Sequence, residues 1–115
     1  MIYAAPFKMN KQDSAITKVF GKAKYFGIYD DETNKLEVIE NLETGGPAIF
    51  KQLQAKNVDV VLTPHAGPGA VKKANEIGMK LYYCGEERKL LLEAVKEFQD
   101  GKYPQITEEN FHLYH

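Results

Sequence analysis

The stretch Val58–Gly85, VDVVLTPHAGPGAVKKANEIGMKLYYCG, decides the fold, because it holds a whole strand–helix–strand unit. Val58, Val60, Val61 and Leu62 form a β-branched run of the kind that fills a central parallel strand, apolar on both faces. Ala70, Val71, Ala74 and Ile77 then recur at helical spacing, and Gly78 is placed to end that helix in a left-handed turn. Lys80–Tyr83 reads as the next strand, stopping at Cys84 and Gly85. Two strands joined through one helix make a parallel crossover, which is right-handed in nearly all proteins.

Upstream, Pro47 opens a helix predicted over about 47–56, since its missing N–H costs nothing at a first helical position. Ile49, Phe50 and Leu53 give that helix an apolar face. Tyr25–Asp30 and Leu36–Glu40 read as two strands of an antiparallel hairpin, turned through residues 31–35, where Asn34 tolerates a left-handed backbone. Ile2–Ala5 is a short first strand that stops at Pro6. Residues 7–24 follow without periodicity, a loop long enough to suggest a functional role. Downstream, Leu91, Ala94, Val95 and Phe98 line one face of a helix predicted over 87–99. The segment DGKYPQITEENFHLYH is read as an extended flap or frayed end. Residues 1–101 thus make one domain and 102–115 a C-terminal tail.

These elements fit an α/β fold with a mixed five-stranded sheet of order 3-2-1-4-5, in which strand two is antiparallel. Ligands of such sheets bind in the crevice beyond the carboxyl ends of the parallel strands. Those ends lead into Pro6–Met9, Thr63–Gly67 and Cys84–Gly85, so three loops share one rim. His65 stands in the second loop, ahead of Gly67 and Pro68. These two suit the cap and first position of a helix whose free N–H groups would face an anion. The plainer alternative is a strand-to-helix turn in which His65 only packs or hydrogen-bonds. Cys84 and Met9 could add soft sulfur donors to His65 at a metal site. Each also has an ordinary reading, Cys84 as a small strand-end residue and Met9 as gap-filling core. Lys8, Lys11, Lys18, Lys22 and Lys24 crowd the first loop against only Asp13, an excess that would draw an anionic ligand. A solvated lysine face is the competing explanation.

Other chemistries find little footing. The Gly21–Lys22 pair is no phosphate-binding loop, because Ile16 stands where the first glycine belongs and Ala23 where magnesium needs a hydroxyl. No GxSxG elbow is present. Asp30–Asp31 and Glu86–Glu87 are explained by a turn and a helix start. The 15 basic and 16 acidic side chains leave a net charge of −1, which disfavours nucleic acid as a partner. The 115 residues, 43% hydrophobic, suffice for a single core. No apolar run is long enough to cross a membrane, no signal peptide is recognised, and one cysteine suits a reducing compartment. The expected location is the cytoplasm.

With these residues in place, the chain resembles the dinitrogenase iron–molybdenum cofactor biosynthesis family, the NifX/NafY-like domain, over roughly residues 1–101. The resemblance is carried by IYAAP, by SAITKVFGKAKYFGIYD with its FGKAKYF core, by LEVIEN, by GGPA, and by the Val58–Tyr83 stretch. It implies a three-layer α/β/α, ribonuclease-H-like sandwich. It also implies a small carrier for an iron–molybdenum or related metal–sulfur cluster, which binds and hands over to donor and acceptor proteins and does not catalyse. Ser14, Phe20, Gly21 and Lys22 of the first loop, with His65, Gly67 and Pro68 of the second, are the ligand-facing positions that the resemblance transfers. Two positions depart from the pattern. Gly45, Gly46 and Pro47 form a turn without the histidine of a GHG-type turn, and Ala66 stands where some relatives have cysteine.

The expected function is therefore non-enzymatic binding of an anionic metal–sulfur cluster or oxyanion. One alternative is a protein-interaction module with a decayed site. The other is a small enzyme using His65 as acid or base on anionic substrates.

Overall fold

The computed structural model describes residues 1–18, 20–42 and 46–114, so Gly45 of the Gly45-Gly46-Pro47 turn lies outside them. The chain runs β1 (Ile2–Phe7), β2 (Tyr25–Asp30), β3 (Lys35–Glu40), α1 (Gly46–Ala55), β4 (Val60–Thr63), α2 (Pro68–Ile77), β5 (Lys80–Tyr83), α3 (Leu91–Gln99) and β6 (Gln105–Ile106). A short 3-10 turn follows at Phe111–Leu113. The sheet order is β3-β2-β1-β4-β5-β6. β1, β4 and β5 are parallel, while β2, β3 and β6 pair antiparallel to their neighbours. The expected five-strand order holds, with one short strand added at the edge.

Side-chain alternation divides the core into two halves. Ala4, Phe26, Ile28, Val61 and Leu81 point toward α1 and α2, where Ile49, Phe50, Leu53, Ala70, Val71 and Ala74 meet them. Tyr3, Ala5, Phe7, Val60, Leu62 and Cys84 point the other way, onto Leu91, Ala94 and Val95 of α3. This is the three-layer sandwich that the family resemblance implied.

Several boundaries moved, each for a local reason. β1 runs through Pro6 to Phe7 because the Pro6 carbonyl accepts from the Thr17 amide at 2.8 Å, on the side away from β2. The proline's missing N–H therefore lies off the β2 ladder and interrupts none of it. α3 begins at Leu91 and not at residue 87. The Lys89 carbonyl is taken by the Ile16 amide at 3.0 Å, and Leu90 is bridged to Ala15 with extended backbone, which keeps the chain out of the helix up to that point. Glu93 then caps the helix by accepting from the Leu90 amide at 3.0 Å. The turn residues behave as their chemistry requires, with Asn34 at φ 57° in the hairpin and Gly78 at φ 75° closing α2.

The tail differs from expectation. Residues 102–114 are not a frayed end: β6 pairs with Leu81 and Tyr82, and Ile106 is buried. The Tyr114 carbonyl accepts from the Ala66 amide at 2.9 Å, and its ring lies 4.6 Å from that of Tyr83.

Candidate functional site

The carboxyl ends of β1, β4 and β5 open onto one rim, as parallel strands must. The amide of Cys84 donates to the Thr63 carbonyl at 3.1 Å and ties the last two strand ends together. Buried Thr63 turns its hydroxyl onto the His65 carbonyl at 2.8 Å, which sets the bend of the Thr63–Gly67 turn. The imidazole of His65 is thereby lifted to the rim, with its side chain one-third exposed. Its Nε2 lies 2.8 Å from Oε1 of Glu86, which is carried by the loop after β5. Gly67 caps α2 with extended backbone and no side-chain hydrogen bond, and Pro68 takes the first helical position. Among the described residues, the first-turn amides of α2 therefore have no side-chain cap beside His65, at the positive end of the helix.

The first loop contributes differently from what its sequence suggested. Ser14 is fully buried, and its hydroxyl accepts from the amides of Lys8 at 3.1 Å and Met9 at 2.9 Å while donating to the Ala15 carbonyl at 3.0 Å. All three of its hydrogen-bonding positions are filled, so Ser14 staples the loop and does not face a ligand. Phe20 is also corrected. Its ring is buried 5.4 Å from Phe26 and 5.5 Å from Phe50, inside the α1–α2 half of the core. It anchors the FGKA segment, leaving Gly21 half-buried and Lys22 exposed. Lys8, Lys11, Lys18 and Lys24 are exposed as well. They belong to a loop that leaves the rim end of β1 and re-enters at the rim end of β2.

Cys84 does not join His65. Its side chain falls in the α3 half of the core with no exposed surface, and burial pushes its thiol up to about 12. A thiol held protonated is a poor metal ligand, because the thiolate is the coordinating form. Met9 is 46% exposed at the loop tip. Among the described residues no group of three or more His, Cys, Asp or Glu side chains is placed to hold a metal ion. The soft-donor trio expected from the sequence is therefore reduced to His65.

Two features of this end were not anticipated. Glu86, expected as a helix-start acid, stands three residues beyond the end of β5, and that place is its only signal in the sequence. Lys89, largely buried, donates from Nζ to Glu97 at 3.1 Å and to the Tyr103 hydroxyl at 3.3 Å, and that hydroxyl donates to Glu97 at 2.8 Å. The hydrogen bond from Tyr103 holds Glu97 below its usual carboxylate range, with Lys89 adding to the effect. This network fastens the start of the tail to α3. A cavity of about 330 Å³ lies beside it, lined by Tyr83, Cys84, Lys89, Tyr103 and Tyr114 among others. A larger groove, of about 840 Å³, opens along the β2–β3 hairpin and is lined by none of the nine predicted site residues.

A family profile described as dinitrogenase iron-molybdenum cofactor matches residues 1–101, most of the chain. The chain belongs to the dinitrogenase iron–molybdenum cofactor family. Two solved structures share its fold closely. The apo form of the orange protein from Desulfovibrio gigas is 27% identical with a TM-score of 0.77, covering 90% of this chain and 91% of that one. The NMR structure of a Thermotoga protein provisionally named NifB is also 27% identical, with a TM-score of 0.76 over 92% and 93% of the two chains. Comparison with curated proteins gives no match. Family membership gives the His65 rim a context, since the matched segment contains all three rim loops. Among the described residues, no helix is long and apolar enough to cross a membrane.

Proposed function

We propose that the protein is a non-enzymatic carrier that takes up an anionic metal–sulfur cluster at the His65 rim and passes it between donor and acceptor proteins. The family match over residues 1–101 carries this reading. The rim supplies compatible chemistry. Exposed lysines of the first loop draw an anion toward it, the first turn of α2 offers backbone amides, and His65 offers an imidazole. Gly21, Lys22, Gly67 and Pro68 border the ligand in this reading. With no second strong donor beside His65 among the described residues, the site suits a preformed cluster docked through one imidazole and backbone amides. It does not suit a bare ion held in a protein cage, which needs three or four donors. Such a site favours release as much as uptake.

Anaerobic reconstitution with iron, sulfide and molybdate, followed by metal analysis and an absorbance spectrum, tests the proposal. The expected result is a retained chromophore that His65→Ala loses and Cys84→Ala keeps. Failure of the parent protein to retain metal would overturn the carrier reading.

A further inference from the structure

The 2.8 Å contact between His65 Nε2 and Glu86 Oε1 selects which atom of the imidazole the rim offers. A carboxylate only accepts hydrogen bonds, so at this distance the Nε2 atom must carry the proton that joins them. In a neutral imidazole the other nitrogen, Nδ1, is then left with its lone pair. No hydrogen bond to Nδ1 is found among the described residues. Glu86 is half-exposed on the loop after β5, and the backbone tie between Cys84 and Thr63 keeps that loop beside the His65 turn. The ring is thus clamped from a second loop, in the manner of a carboxylate–histidine–metal arrangement.

The consequence concerns the class of ligand, and it rests on the carrier reading above. A lone pair at Nδ1 can coordinate a metal atom, but it cannot donate a hydrogen bond to an oxyanion. The Glu86 charge behind the ring would also repel a small bare anion. We infer that Glu86 is a positioning residue that holds His65 as the Nε2–H tautomer, so that the rim accepts a cluster through one of its metal atoms and discriminates against free oxyanions such as molybdate.

The tautomer is read directly from nitrogen-15 spectra of the imidazole in the metal-free protein, at about pH 8, where an ordinary histidine is neutral. Wild type is expected to show a protonated Nε2 and an unprotonated Nδ1 at His65. Glu86→Ala should show a mixture of tautomers, whereas Glu86→Gln, which keeps an acceptor oxygen, should restore much of the bias. Zn²⁺, used as a probe metal, should shift the Nδ1 resonance of His65, with affinity falling about ten- to hundred-fold in Glu86→Ala. Molybdate alone should leave that resonance in place. A wild-type ring protonated at Nδ1, an unchanged tautomer in Glu86→Ala, or a molybdate shift without a Zn²⁺ shift would each overturn the inference. None of these outcomes depends on cluster retention. If instead Nδ1 binds Zn²⁺ as expected while reconstituted cluster is kept by His65→Ala, the ring's positioning stands and the carrier reading loses its ligand.

Discussion

Ala4 and Ala5 are neighbours in β1, yet they face two unlike interiors. On the Ala4 side, α1 and α2 close over the sheet, and Phe20, Phe26 and Phe50 pack ring against ring. On the Ala5 side the single helix α3 covers a row of rings, in which Tyr82 lies 4.7 Å from Phe98, Phe98 lies 5.6 Å from Tyr3, and Tyr3 lies 6.5 Å from Tyr29. The hydroxyls on this side reach the surface and find partners there: Tyr29 on Asn34, Tyr3 on Asp31, Tyr103 on Glu97. Tyrosine thus lets one nine-residue helix cover an area that pure hydrocarbon would leave as exposed apolar surface. One half of the core is sealed and apolar, while the other is edged with polar groups that titrate.

The contrast can be broken from the sealed side first. Phe50→Ala removes a fully buried ring among Phe20, Ile49 and Leu53, and should cost about 3–5 kcal/mol, seen as a lower midpoint in urea unfolding. Gly27→Ala tests the α3 side by overpacking. A Cβ at Gly27 would fall 2.2 Å from the tip of the Phe7 ring, so the ring must shift, at about 1–3 kcal/mol by the same measurement. A smaller loss, about 1 kcal/mol, is expected for Tyr103→Phe, which deletes the hydroxyl shared by Lys89 and Glu97. Its sharper readout is faster hydrogen exchange at the Tyr83 amide, whose acceptor is the Pro104 carbonyl.

The smallest effect concerns pH. The N-terminal ammonium donates to Asp31 at 2.8 Å and holds that carboxyl below its ordinary 3.8, while Asp31 raises the ammonium above its ordinary 8.0. The lowered carboxyl stabilises the fold above about pH 4, and that contribution fades as pH falls through its folded value. The raised ammonium stabilises below about pH 8, and its share fades as pH rises through its folded value. Acetylating the N-terminus should therefore flatten the pH profile of the melting temperature at both margins. An unchanged profile would mean that the pair is too solvated to count.

Legibility followed the range of the interaction. The hairpin was readable because Asn34 governs its own turn, and α2 because Gly78 ends it from the adjacent position. The segment Gln105–Ile106 was not readable as a strand, since two residues show no period and owe their extension to β5. Phe20 belongs to a motif, but its burial depends on Phe50, brought over it from α1 far along the chain, as well as on nearby Phe26. Ser14 has the same history, with its hydroxyl consumed by amides that only the folded loop delivers.

Taken alone, the order of apolar runs and breakers determined the parallel crossovers, the strand order and the rim where the loops gather, because helix and strand periods and turn preferences act over a few residues. The tertiary structure alone decided which side chains share that rim. It turned Cys84 into the α3 half of the core and set Glu86 against His65. Both outcomes depend on how β4 and β5 register with each other, and that register is settled only when two faces of one sheet are buried together.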